Sequence, residues 1–128
     1  EYQYRGPDCS LAALQALLLD INAEIFSWGY IENSDRPTGA CAASIAWIID
    51  HQMHVLHSGD TCVWLHREGT CKTLTRSHTS TDGCLARYFG QPAMECELHT
   101  LPLRDGDQIL MSSDGILSAG VSNFLLAE

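Results

Sequence analysis

Two aspartates, Asp60 and Asp114, each follow a short apolar run and adjoin a glycine. The apolar runs predict strands, and a strand holds the side chain at its end in a fixed direction. Gly115 leaves room for another group to approach the backbone next to Asp114. Carboxylate oxygens are ligands that Mg²⁺ and Mn²⁺ prefer. The pattern predicts that Asp60, Asp114 and Gly115 contribute to a divalent metal site, although Asp-Gly pairs also form ordinary turns.

A pair of bridged divalent cations suits the hydrolysis of a phosphate ester. Such cations lower the pKa of a bound water, direct the resulting hydroxide at phosphorus and offset the charge of the phosphate oxygens. Two cations a few ångströms apart repel each other, so the site needs several negative ligands. Asp60 and Asp114 alone are therefore an incomplete ligand set, which predicts a poor or inactive enzyme for this chain on its own.

The histidines and cysteines, six of each, form no metal-binding motif. His54 and His57 lie three positions apart on a predicted strand and so point to opposite faces. His78 lies in a polar loop near the candidate site, but no histidine is assigned a catalytic role. The cysteines lack Cys-x-x-Cys spacing and are predicted to be reduced thiols, with Cys41 and Cys62 buried in strands.

The elements that must position these residues follow from hydrophobic periodicity. Apolar residues three and four apart predict a helix at 8–28 that starts after a cap at Asp8 or Ser10. Three apolar runs joined by short turns predict an antiparallel meander within 40–66. The remaining pattern predicts loops at 30–39 and 75–83, helices at 84–89 and 117–127, and strands at 95–101 and 108–112. The predicted fold class is α+β.

Length and composition indicate a single globular domain over residues 1–128. The formal net charge of −9 argues against a nucleic-acid or anionic-membrane partner. The sequence shows no signal-peptide pattern. Together with the cysteine pattern, these features predict a cytoplasmic protein.

Four strings occur in order: Gly59-Asp60-Thr61, then 74–78, 85–90 and 106–115. With Thr38-Gly39 they resemble the signatures of the protein phosphatase 2C family, the metal-dependent serine/threonine protein phosphatases, over residues 38–117. Two departures lie inside the match, since Cys62 replaces the family's arginine and Ser77 its aspartate. The family's N-terminal strings and its C-terminal Asp-Asn have no counterpart in this sequence.

The resemblance implies an αββα architecture, a β-sandwich of two antiparallel sheets flanked by helices, of which this chain is a partial domain. It implies hydrolysis of phosphoserine or phosphothreonine in phosphoproteins at a binuclear Mn²⁺ or Mg²⁺ centre. Asp114 matches a ligand of the core metal pair, and Asp60 matches an aspartate of an additional metal position. A non-catalytic relative that binds or regulates is the alternative. Sheets that lack strands also predict a homodimer or association with the missing part of the domain.

Overall fold

The computed structural model describes residues 10–28 and 39–118. In chain order the elements are α1 (Leu11–Trp28), β1 (Ala43–Ile49), β2 (Gln52–Ser58), β3 (Cys62–Arg67), β4 (Thr70–Thr73), β5 (Glu97–Pro102), β6 (Gln108–Ser112) and α2 (Asp114–Ser118). The strands form two antiparallel sheets, in the orders β1-β2-β5 and β4-β3-β6. The predicted α+β class with two antiparallel sheets and helices is confirmed.

The first two strands form a hairpin, but the third strand leaves their sheet. Asp50 and His51 connect β1 to β2 with φ of 48° and 61°, the left-handed pair that a two-residue hairpin turn requires. β3 pairs with β4 and β6 instead of β2. The predicted three-strand meander over 40–66 is therefore wrong, because the chain turns a corner between sheets at Gly59, where φ is 120°.

Two apolar clusters hold the layers together. Leu14 and Leu18 of α1 pack with Leu56 and Phe89. On the other face of β2, Met53 and Val55 pack with a valine of β3 in the space between the sheets. Side chains alternate along β2, so one strand serves both clusters. The described part is thus layered as helix, sheet and sheet.

Helix α1 starts at the predicted cap and is tied to a distant loop. Ser10 accepts the amide hydrogen of Ala13 at 3.2 Å. The buried Asn22 donates to the Gln91 carbonyl at 2.9 Å and accepts from the Gly90 amide at 2.7 Å. By length and composition alone α1 is also long and apolar enough to cross a membrane, with a mean hydropathy of 1.2. Core helices meet the same criterion, and α1 packs on the sheet.

Other sequence predictions met mixed outcomes. The strands at 95–101 and 108–112 and the loop at 75–83 are confirmed. The predicted helix at 84–89 is wrong, because Leu85 bridges to Thr79 and Phe89 to Cys41 in extended backbone pairs. The short edge strand β4 was missed. The loop at 30–39, apart from its last residue, lies outside the described residues. So does the predicted terminal helix beyond residue 118, and α2 starts at residue 114.

The cysteines in the described part of the chain are all free thiols, at positions 41, 62, 71, 84 and 96. Cys62 is buried as predicted, whereas Cys41 is exposed, contrary to the prediction. Free-thiol titration of the denatured, unreduced protein is expected to return all six cysteines of the sequence. A count of four or fewer would contradict the reducing compartment inferred from the sequence.

Arg67 of β3 forms a bidentate ion pair with the turn before β6 and a hydrogen bond to the end of β5 in the other sheet. Arg67 Nε and Nη2 donate to Asp107 at 2.8 Å and 2.7 Å, and Nη2 also donates to the Pro102 carbonyl at 2.8 Å. The Arg67 guanidinium, with the backbone amide of Arg104, lowers the pKa of Asp107 from 3.8 to about 2. The charged carboxylate thus holds the turn before β6.

This ion pair predicts a specific acid sensitivity. A carboxyl whose pKa is lower in the folded than in the unfolded state stabilises the fold above its unfolded pKa, and the effect is lost as the pH falls through the folded value. We expect the contribution of Asp107 to the urea midpoint to disappear between pH 3.8 and about 2. The Asp107→Asn variant should show a flatter pH dependence in that range. Asp105→Asn, an exposed neighbour in the same turn, should keep the wild-type slope.

Candidate functional site

The structure brings Asp60 and Asp114 to the same end of one strand pair. β3 begins at Cys62 and β6 ends at Ser112, and these two residues are paired across the sheet. Asp60 lies two residues before this pair and Asp114 two residues after it, and both carboxylates act electrostatically on Cys62. Asp60 lies in the corner before β3, and Asp114 is the first residue of α2. The two aspartates predicted from the sequence therefore lie at the same end of the β3–β6 strand pair.

Cys62 lies next to both carboxylates. Burial raises the pKa of its thiol, and the charges of Asp60 and Asp114 raise it further. The Cys62 thiol consequently stays neutral at neutral pH. A neutral thiol therefore adds no positive charge beside the two carboxylates.

The donor set fits part of a divalent metal site. Within residues 10–28 and 39–118, the ion-paired carboxylates are those of Glu68, Glu95, Glu97 and Asp107. Asp60 and Asp114 are absent from these pairs, so hard oxygen donors remain for Mg²⁺ or Mn²⁺. Two carboxylates are enough to contribute to one cation and too few to hold two. A complete centre needs further ligands from outside this set.

Gly115 follows Asp114 in α2, in a backbone conformation open to other residues. A Cβ built at this position would have Ser113 Oγ as its nearest neighbour, at 3.9 Å. The described residues thus give no steric requirement for glycine here. Its role at a metal stays a prediction from the sequence.

A histidine cluster that the sequence analysis missed lies beside the corner. His57, His78 and Glu97 offer ligand atoms within 4.8 Å of one another. His57 is fully buried and pairs directly with Glu97 between β2 and β5. The His57 and His78 rings lie 4.7 Å apart. His57 and Glu97 meet only through strand pairing of distant segments, so no local spacing could have found them.

The hydrogen bonds of this cluster define which ring atoms carry protons. His78 Nδ1 accepts from the Gly59 amide at 3.2 Å, so its proton lies on Nε2 and is donated to Glu97 at 2.9 Å. His57 Nε2 donates to the Arg76 carbonyl at 2.8 Å, so its Nδ1 accepts from Ser44 at 2.8 Å. A metal-bound imidazole uses one nitrogen for the metal and donates from the other. The amide donor at His78 Nδ1 is incompatible with that arrangement.

The protonation states agree with this network. Burial lowers the pKa of His57, with a further contribution from the neighbouring His78, which keeps the buried ring neutral. Burial alone would raise the pKa of Glu97, but hydrogen bonds from His99 and His78 lower it below its ordinary value. The cluster therefore contains a neutral His57 ring and a charged Glu97 carboxylate that accepts hydrogen bonds from His78 and His99.

The arrangement of two antiparallel sheets matches solved phosphatase structures. PppA, described as a key regulatory component of T6SS in Pseudomonas aeruginosa, superposes with a TM-score of 0.81 at 19% identity, over 92% of this chain and 56% of its own. The S. agalactiae serine/threonine phosphatase gives 0.75 at 19% identity, over 96% and 62%. The catalytic domain of the serine/threonine phosphatase PstP in complex with two manganese ions gives 0.80 at 20% identity, over 94% and 59%.

The fold is that of the protein phosphatase 2C family. No family model matches the sequence, and no curated protein matches it. The chain spans 56–62% of the length of these three proteins. At about one identical residue in five, the likeness establishes the fold of the described part and not its activity.

Proposed function

We propose that this chain is part of a metal-dependent protein serine/threonine phosphatase. The observation that carries the proposal is the placement of Asp60 and Asp114 beside Cys62 at one end of the β3–β6 pair, inside a protein phosphatase 2C fold. Structural neighbours that are themselves serine/threonine phosphatases support it. The proposed reaction is hydrolysis of phosphoserine or phosphothreonine by a metal-activated water.

Asp60 and Asp114 would hold the cation. Cys62 and the ends of β3 and β6 would keep the two aspartates charged and oriented. Bound Mn²⁺ or Mg²⁺ supplies a water of lowered pKa and positive charge next to the phosphate oxygens. Cys62 stays neutral beside the carboxylates and does not compete with a cation for them. The backbone pairing of Cys62 with Ser112 fixes the two strand ends from which the aspartates extend. Carboxylate oxygens bind both Mn²⁺ and Mg²⁺, so we propose either cation for this site.

A catalytically inactive binding or regulatory module is the second candidate. The shortage of carboxylates in the described part favours it, and so do Cys62 and Ser77 at positions where the family has an arginine and an aspartate. In both cases we propose phosphoproteins as partners and, from the free thiols, a cytoplasmic location. The outermost strands in the described sheets are β1, β5, β4 and β6. Their backbone groups support association with a further part of the domain or with a second copy.

The test is Mn²⁺-dependent hydrolysis of a phosphopeptide by the natural protein that contains this chain. The Asp114→Asn variant is expected to lose about 100-fold or more in rate, because it removes a charged ligand of the cation. Asp105→Asn, an exposed aspartate of the β5–β6 turn, should retain wild-type activity. The 128-residue chain alone is expected to be poorly active. Absence of Mn²⁺-dependent hydrolysis in the whole protein, with phosphopeptide binding retained, would favour the inactive module.

A further inference from the structure

We propose that His78 is a positioning residue for the Asp60 carboxylate, acting through the backbone of Gly59. The inference rests on the proposed function only in assigning a cation to Asp60, because the contacts themselves are independent of activity. His78 donates from its backbone amide to the Gly59 carbonyl at 2.8 Å and accepts from the Gly59 amide through Nδ1 at 3.2 Å. One residue thus holds both polar backbone groups of the glycine that precedes Asp60.

The residue on the other side of Asp60 is also held. Thr61 Oγ1 lies 2.7 Å from Ser44 Oγ, which in turn donates to His57 Nδ1 at 2.8 Å. His57 is fixed by its bond to the Arg76 carbonyl at 2.8 Å. Asp60 is therefore flanked by two restrained neighbours while its own carboxylate forms none of the ion pairs within the described ranges. A side chain in this position is directed by its neighbours and remains available to a ligand.

Gly59 requires such restraint because nothing in its own side chain fixes its backbone dihedral angles. Its φ of 120° is open to glycine and costly for other residues, and glycine has more conformational freedom to lose than any other residue. A Cβ at residue 59 would overlap Ala42, so the turn lies close against that residue on one side. The two bonds from His78 limit it from the other. Loss of the Nδ1 bond would leave the backbone bond in place and allow the peptide between Gly59 and Ser58 to rotate.

Glu97 fixes the tautomer of His78 in which Nδ1 accepts a hydrogen bond from the Gly59 amide. Its carboxylate accepts from His78 Nε2 at 2.9 Å and from His99 Nε2. A proton held on Nε2 leaves Nδ1 with its lone pair facing the Gly59 amide. Glu97 itself is placed by strand pairing with His57 in the first sheet. The bridge therefore runs from the first sheet to the corner that leads into the second.

The tautomer of His78 gives a test that does not depend on enzyme activity. Long-range ¹H–¹⁵N correlation spectra of the 128-residue chain are expected to show His78 with its proton on Nε2 and no change on addition of equimolar Zn²⁺. The Gly59 amide resonance should shift in His78→Ala and return toward its wild-type position in His78→Asn, because the asparagine carbonyl oxygen replaces Nδ1 as acceptor. A proton on Nδ1, or Zn²⁺-dependent loss of the Nε2 proton, would overturn the proposal. The second result would instead identify a metal site formed by His57, His78 and Glu97.

The same variants separate positioning of Asp60 from a purely structural role. In the natural protein, His78→Ala should raise the Mn²⁺ concentration for half-maximal activity about 10-fold, since outer residues that orient ligands typically contribute 10–100-fold to metal affinity. The turnover rate at saturating Mn²⁺ should stay near wild type, and His78→Asn should restore the affinity. His54→Ala, a histidine of the same sheet that bonds Thr100, serves as the control.

Three outcomes would contradict positioning. They are unchanged Mn²⁺ dependence in a folded His78→Ala, a fall in turnover alone, and no recovery in His78→Asn. If His78→Ala does not fold, the comparison of His78→Asn with wild type and the wild-type tautomer decide the question. If the natural protein has no Mn²⁺-dependent activity, the proposed function fails. The Gly59 amide and His78 tautomer measurements still test the bridge in that case.

Discussion

Replacing Gly59 by alanine is expected to lower the unfolding free energy by roughly 3–5 kcal/mol, because backbone strain and steric overlap add at this position. A Cβ on residue 59 would lie 2.3 Å from Ala42 Cβ and 2.7 Å from its Cα. Both atoms belong to or adjoin the backbone, so neither can rotate away. Urea denaturation measures the loss, which is a large part of the stability of an ordinary domain.

The matched control is Gly106→Ala. Gly106 also has a positive φ, of 88°, but a Cβ there would have nothing within 4 Å. Strain alone should then cost about 1–2 kcal/mol. Equal losses in the two variants would show that the start of β1 moves away from residue 59, and that the corner between the sheets is looser than this contact indicates.

That corner also explains the main error in predicting the fold from sequence. An apolar run, Gly-Asp and a second apolar run have the same pattern whether the two strands pair or separate. The deciding pairing is that of β2 with β5, which lies some forty positions later in the chain and occupies the side of β2 that β1 leaves open. The hairpin between β1 and β2 was predictable because its turn needs only two residues and its strands are neighbours.

Two smaller errors have a similar physical origin. Leu85 and Phe89 are four positions apart, which is helical spacing, yet Phe89 pairs with Cys41 and packs against Leu14. Tertiary packing thus overrides a short local pattern. The edge strand Thr70–Thr73 is exposed along its length, so it lacks the alternation that reveals a strand with one buried face.

The candidate site was predictable where it depends on strand ends. Asp60 and Asp114 were predicted because each follows an apolar strand, and the pairing of β3 with β6 brings them to one end of that strand pair, while their role as metal ligands stays a prediction. His57, His78 and Glu97 could not be recognised as a group. His57 looks like an ordinary strand residue, and its partner Glu97 is forty positions away in the chain. Such contacts arise only from the paired sheet and the loop that crosses it.

Leu56→Ala is expected to produce the other large loss of stability, about 2–5 kcal/mol. Leu56 is 1% exposed and lies at the centre of the cluster with Leu14, Leu18 and Phe89. Alanine would leave a cavity under α1, because the helix is tied to the loop at Gly90 through Asn22 and cannot easily move inward. Thermal or urea unfolding measures the change.

Leu98→Ala is a control of the same chemistry on the same sheet face. Leu98 pairs directly with Leu56 between β2 and β5, so both side chains point toward the helix side, but Leu98 is 37% exposed. Its truncation should cost less than about 1 kcal/mol, since solvent fills the space that the side chain leaves. A loss at Leu98 as large as that at Leu56 would mean that another layer covers the β5 side of this face in solution. Such a layer would be a further segment or a second copy packed beside α1.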